Sequence, residues 1–288
     1  MAKKDKFSAT WVSHSSISDY LKCPRAYYLK NVYKDTRTGH KVKVMSPALA
    51  LGGAVHEVLE SLSVLPKTDR FRDSLIEKFD VVWKKFEGEK GGFASSEQES
   101  NYKKRGQEML RRVMQNPGPL SRLAVKIQMD LPYFWLSDED NIILCGLIDW
   151  LEYDAESKSV HIIDFKTGKN EESKESLQLP IYRLLVENCQ EWPVVGASYW
   201  YVAHHDEPIE QVLPPSEESR EKVLKVARDI KLARQIKAFK CKSDGCFACK
   251  DLELIVSGQG RLVGVDDYGA DIYVLEKKEE EKKQSVIL

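Results

Sequence analysis

The sequence predicts an α/β fold: a mixed central sheet with helices on both sides and an N-terminal helical region beside a cleft. Three observations carry the prediction. Apolar residues recur at helical spacing through the first 115 residues. Short apolar, β-prone runs cluster between 123 and 166. A helix pattern then alternates with further strand runs. At 288 residues the chain can bury a sizeable core, as one large domain or as a core with a helical insertion.

Helices are expected near 16–33, 47–63, 68–87 and 96–115. The third is marked by Phe71, Leu75, Phe79, Val82 and Phe86. In the second, Gly52 permits close backbone approach at the helix start, and His56 sits in a helical run from Leu51 to Glu60. Strands follow near 123–135, 141–150 and 160–166. The apolar run 142–149 ends in a polar, turn-rich stretch at 152–159. The run 160–166 follows, so the two read as a hairpin. Alternation along the second strand places Ile162, Asp164 and Lys166 on one face and His161, Ile163 and Phe165 on the other. Asp149, late in its strand, can lie across from Asp164.

Leu177, Ile181, Leu184 and Leu185 mark a helix near 174–189. Pro180 fits it in the first turn, which moves the start later than Ser173. Strands are expected at 195–203 and 209–213. A helix then opens at Ser216 as cap, with acids in its first turn, and runs to about Phe239. It carries many lysines and arginines around a stripe of Val223, Ala227, Ile230 and Ala233. Weak strand signals stand at 261–265 and 271–275. The mixed charge run at 276–283 reads as frayed or disordered. The division that follows is an N-terminal helical region over 1–115, a core over 116–250 with the late cysteines, and a C-terminal extension over 251–288.

The chemistry concentrates in Asp149, Asp164 and Lys166. Two carboxylates placed close together repel unless a cation sits between them. Hard oxygen ligands suit Mg²⁺ or Mn²⁺, which would polarise a phosphoryl oxygen during in-line displacement. Lys166 would position or deprotonate the attacking water. Gln178 and Tyr182 stand at i and i+4, on one helix face, as an amide hydrogen-bonding partner and a phenol against phosphate. Taken alone, Asp164-x-Lys166 reads as a structural surface pair, Gln178 and Tyr182 as a polar helix flank, and His56 as a core or surface histidine.

The motifs Gly52-x-x-x-His56, Gly146-x-x-Asp149, Asp164-Phe165-Lys166-Thr167-Gly168 and Gln178-x-x-x-Tyr182 come in one order. Together with the run from Ser16 to Leu29, they resemble the PD-(D/E)XK nuclease superfamily, in particular its RecB-like exonuclease branch, over about residues 14–250. The resemblance implies a restriction-endonuclease-like core and a metal-dependent DNA nuclease acting on DNA ends or single strands. It implies His56, Asp149, Asp164 and the Phe165 carbonyl as metal ligands, with Asp149, Asp164, Lys166, Gln178 and Tyr182 as the catalytic set. Many members carry a glutamate on the first core strand, where this chain offers Lys126, Gln128 and Asp130.

Six cysteines are present. The N-terminus shows no signal-peptide pattern, which implies a reducing, cytoplasmic compartment without a disulfide framework. Cys145 and Cys189 lie in apolar patterns and are expected to be buried. Cys241-x4-Cys246-x2-Cys249 has metal-ligand spacing, and four thiolates bind either a [4Fe–4S] cluster or Zn²⁺. In AddB-type and CRISPR-adaptation nucleases one early cysteine joins three late ones around such a cluster, and Cys23 with Cys241, Cys246 and Cys249 is similar. Here Cys241 is extra and no cysteine stands near 255. Cluster, zinc and plain thiols all remain readings of the spacing.

The net charge of −1 predicts no nucleic-acid binding by itself. Residues 1–45, however, hold ten Lys/Arg against Asp5, Asp19 and Asp35, interleaved with Tyr20, Tyr27, Tyr28 and Tyr33. Such a strip could track a phosphate backbone and stack bases. No apolar run is long enough to span a bilayer. Lys166-Thr167-Gly168-Lys169 is not a Walker A motif, so helicase activity would need a partner, as in recombination or CRISPR-adaptation assemblies. Two rival readings stand beside the nuclease. One is an inactive DNA-binding or scaffold subunit on the same fold. The other is an interaction module built around the late cysteines.

Overall fold

The structure, a computed structural model, describes residues 5–275. The charged run at 276–283 lies outside them, as do Lys3 and Lys4 of the basic strip. In chain order the elements are β1 (Thr10–Val12), α1 (His14–Lys22), α2 (Pro24–Tyr27), β2 (Val42–Val44), α3 (Pro47–Glu60), α4 (Leu75–Trp83), α5 (Ser96–Gln115), β3 (Tyr133–Ser137), β4 (Ile142–Cys145), β5 (Trp150–Asp154), β6 (Ser159–Lys166), α6 (Gln178–Cys189), β7 (Val194–Tyr201), β8 (Ile209–Gln211), α7 (Ser216–Gln235), α8 (Lys250–Val256), β9 (Arg261–Val265) and β10 (Asp271–Val274).

The central sheet has the order β5-β6-β7-β8 and is mixed. β5 and β8 run antiparallel to their neighbours, while β6 and β7 are parallel, joined by the α6 crossover. Alternation along β6 divides the core. Ile163 and Phe165 pack with α3, α4 and α5 around Phe79, Trp83 and Trp200. Ile162 packs on the other side with α1, α6, α7 and the small sheet β1-β4-β3. The expected α/β layering, helices on both sides of a mixed sheet, is therefore what the chain adopts: a restriction-endonuclease-like core. A third sheet, β2-β10-β9, brings the segment after Cys249 back onto the N-terminal region.

Several elements differ from the sequence reading. The helix expected over 16–33 breaks at Cys23, which is extended (φ −166°, ψ 117°) because Pro24 follows it; Pro24 then starts α2, which passes into a π-turn at Tyr28–Val32. The expected helix over 68–87 keeps only α4 as α-helix. Most of the expected strand at 123–135 is irregular, apart from a single bridge between Ala124 and Glu152 and the start of β3. The run 142–149 is not one strand. β4 pairs with β1 and β3, and the chain leaves it after Cys145 to enter the central sheet as β5. The hairpin partner of β6 is thus β5, which runs from the end of the expected strand into Glu152–Asp154, expected to form the turn. Ser216 does not cap α7; its hydroxyl donates to Glu187 at 2.6 Å. That helix stops at Gln235 rather than near Phe239, and Lys237 follows in a left-handed conformation (φ 53°).

Gly106 is the point where α5 closes on α4. A Cβ there would stand 2.4 Å from the Phe79 ring and 3.0 Å from Leu51. Gly106→Ala gains helix propensity of about 1 kcal/mol, but overpacking costs about 1–3 kcal/mol. The expected result is a net loss of up to roughly 2 kcal/mol in chemical denaturation, because fully buried Phe79 has no room to retreat. An unchanged or higher midpoint would show that this packing is loose.

Candidate active site

The site forms where the chain enters β5 and leaves β6. Trp150 pairs with Ile163, so continuing that register puts Asp149 opposite Asp164. From one face of the sheet α3 presents His56 and, one turn on, Glu60. From the other face the first turns of α6 present Gln178 and Tyr182. Pro180 lies in that first turn, where a missing N–H costs nothing. Gly52 is not at the start of α3 but inside it, and a Cβ there would meet the Thr167 hydroxyl at 3.2 Å. Its bare backbone lets the histidine-bearing helix lie against the end of β6.

The side chains converge. His56 Nδ1 stands 3.3 Å from Asp149 Oδ2 and 3.4 Å from Glu60 Oε1. Asp149 Oδ2 also accepts from the Phe165 backbone N–H at 2.9 Å. Asp164 is 1 % exposed; its Oδ1 accepts from Gln178 Nε2 at 2.7 Å. Its Oδ2 faces Lys166 Nζ at 2.8 Å, yet no hydrogen bond is aligned on that buried oxygen. Lys166 Nζ donates to Gln178 Oε1 at 2.5 Å and lies 3.6 Å from Glu172. Gln178 Nε2 also donates to Tyr182 Oη at 3.2 Å. Thus the Gln178 amide is held with its oxygen on the ammonium and its nitrogen on the carboxylate. The Phe165 side chain lies edge-on to His56 on the opposite face from Asp164.

The electrostatics follow from burial of like charges. Burial first, and Asp149 second, push the Asp164 carboxyl above its usual range, against the pull of Lys166. Burial opposes charge on His56, but the bonds to Asp149 and Glu60 outweigh it and raise the imidazole to about 10. Burial of Tyr182, with two carboxylates nearby, holds its phenol well above its ordinary value. Half-buried His14, edge-on to Tyr182, is lowered to about 4 by burial and then by Lys166.

These residues suit a divalent cation. Ligand atoms of His56, Glu60 and Asp149 lie within 4.8 Å of one another. Asp164 stands opposite Asp149 in the sheet register but outside that three-residue group, and a mixed oxygen and imidazole set accepts Mg²⁺ or Mn²⁺. Glu60, His14 and Glu172 were not singled out from the sequence. Glu60 had a readable signal, since His56 and Glu60 are i and i+4 on one helix. Lys126, Gln128 and Asp130, on the segment where many superfamily members carry a strand glutamate, are exposed on an irregular stretch. They line a cleft beside Asp149. A surface cavity of about 880 Å³ lies elsewhere, by His161 and Ser198 toward the opposite end of β6, and neither metal-type cluster lines it.

Cys23, Cys241, Cys246 and Cys249 come together away from this site, in an apolar cluster with Leu29, Leu252 and Tyr273. Cys145 and Cys189 are half-buried rather than buried, each thiol facing a backbone carbonyl. Four cations of the basic strip are paired within the chain: Lys30 with Asp19, Arg25 with Glu253, Arg37 with Asp35 and Lys43 with Asp266. Tyr27 is buried against Phe239 and cannot stack a base. No described helix is long and apolar enough to cross a membrane.

A restriction-endonuclease-like sheet with acidic residues and a lysine at one edge defines a class of metal-dependent nucleases. The chain belongs to the PD-(D/E)XK nuclease superfamily, whose family model matches residues 11–251. No curated protein matches the sequence.

Proposed function

We propose that the chain is a Mg²⁺- or Mn²⁺-dependent deoxyribonuclease of the RecB-like exonuclease branch, acting on DNA ends or single strands. One observation carries this reading: His56, Asp149, Asp164 and Lys166 converge from three elements on one sheet edge. His56, Asp149, Asp164 and the Phe165 carbonyl hold the dication, with Glu60 added from the structure. The bound ion supplies Lewis-acid polarisation of the scissile phosphate and neutralises developing charge.

The chain's own groups do the rest. The Lys166 ammonium orients the attacking water and neutralises phosphate charge as the new P–O bond forms and the opposite P–O bond breaks. Gln178 aims both Lys166 and Asp164 through its two amide ends. Tyr182, its phenol kept protonated, donates toward the phosphate. Exposed Lys126 and Gln128 beside Asp149 meet the backbone of the entering strand.

The test is cleavage of labelled single-stranded, duplex and flapped DNA with Mn²⁺, each substrate blocked at its 5′ or 3′ end. Nucleotides should be released stepwise from one free end, and a block at that end should stop release. Cutting of circular single strands would overturn the exonuclease assignment. Absence of cleavage on every substrate would favour the inactive DNA-binding subunit.

A further inference from the structure

The four clustered cysteines carry a second inference, independent of the nuclease site. Cys23 lies at the joint of α1 and α2, and the other three lie on the loop leading into α8. All four sulfurs fall within 4.8 Å of one another, with Cys246 and Cys249 at 3.7 Å, and all four cysteines are free thiols. Backbone N–H groups of Gly245 and Cys246 point at the Cys241 sulfur at 3.5 and 3.4 Å. Asp244 and Gly245 take positive φ (49° and 119°), which folds the loop so that these amides face inward. Amides aimed at sulfur support thiolate ligands of a metal.

The size of the cluster distinguishes the candidate ions. One zinc binds each sulfur at about 2.3 Å, which sets tetrahedral sulfurs roughly 3.8 Å apart. A [4Fe–4S] cube carries its four thiolates outside a core of iron and sulfide, which spreads them to roughly 6 Å. Both groups take four cysteines, but a spread within 4.8 Å lies closer to the single ion than to the cube. We propose that Cys23, Cys241, Cys246 and Cys249 hold one structural Zn²⁺. It clamps α1 and α2 to the loop before α8. Because α1 also carries His14 against Tyr182, the clamp holds one wall of the nuclease cleft.

The experiment uses the full chain, expressed with both iron and zinc supplied and purified anaerobically. Metal content and visible absorption are read on wild type, Cys246→Ser and Cys189→Ser. The expected result is about one zinc per chain, no iron and a colourless solution, with strong tetrahedral thiolate bands after exchange with Co²⁺. Cys246→Ser should lose the zinc and melt roughly 5–10 °C lower, while Cys189→Ser keeps it. A brown protein with iron and labile sulfide would overturn the proposal in favour of the cluster. Metal-free wild type, or zinc undiminished in Cys246→Ser, would overturn it as well. None of these readouts uses DNA cleavage, so failure here and failure of the nuclease reading are separately visible.

Discussion

Lys166→Ala is expected to abolish DNA cleavage while leaving Mn²⁺ and DNA binding in place. The ammonium sits at the exit of β6, fixed by Asp164 at 2.8 Å and by the Gln178 oxygen at 2.5 Å. A charge so held needs no reorganisation when negative charge develops on the phosphate. Removing such a donor costs on the order of 10²–10³ in rate, and more if water placement is lost as well. The side chain is only 19 % exposed and lies over the Tyr199 ring, so its removal leaves buried Asp164 without its cation and also costs stability. Folding should survive, as circular dichroism would show, with a lowered melting midpoint. Lys166→Arg should not rescue, because a planar guanidinium cannot take the same compact position. Cleavage by Lys166→Ala at the wild-type rate would mean a contaminant or a wrong site.

Asp164→Asn should separate stability from function in the opposite direction. The carboxyl is buried and close to a second carboxylate, and one of its oxygens has no aligned donor. Its folded pKa is raised, so its contribution to stability is fullest at low pH and fades as pH rises through the folded value. At pH 8, without metal, the neutral amide should therefore melt about 2–4 °C higher, the shift of roughly 1 kcal/mol in a chain of this size. Oδ1 of the new side chain still accepts from Gln178. Mn²⁺ should no longer raise the melting point, and cleavage should fall by at least about 10³-fold. In wild type the same raised carboxyl, together with His56 held protonated up to about 10, makes protons compete with the metal. Mn²⁺ affinity should thus fall as pH drops from 8 to 6, with protons released on binding in titration calorimetry. A metal-free variant that melts several degrees lower, with undiminished Mn²⁺ affinity, would refute this account.

The chemistry could be read from the chain because its signals are local. Alternation along 160–166 was enough to put Asp164 and Lys166 on one face, and a spacing of four stacked Gln178 on Tyr182. The later residues of β5, Glu152 to Asp154, by contrast, read as a turn. Glu152 is paired with Arg122 and Asp154 is exposed at the strand's end, and only the ladder to β6 shows that they pair. The apolar run before Asp149 looked like one strand because both its ends are β-prone. Its division between two sheets depends on which neighbours compete for its hydrogen bonds.

Local pattern thus determined the layered α/β class, the identity of the acid–lysine pair and the set of four cysteines, since helix and strand periods act over a few residues. Tertiary structure alone decided that Glu60 joins His56 at Asp149, that His14 borders Tyr182, that four cations of the basic strip are paired by their own chain and that four sulfurs close to the span of a single ion. Each of those facts depends on distances between segments far apart in sequence, which packing of the two faces of the central sheet imposes and no nearest-neighbour pattern encodes.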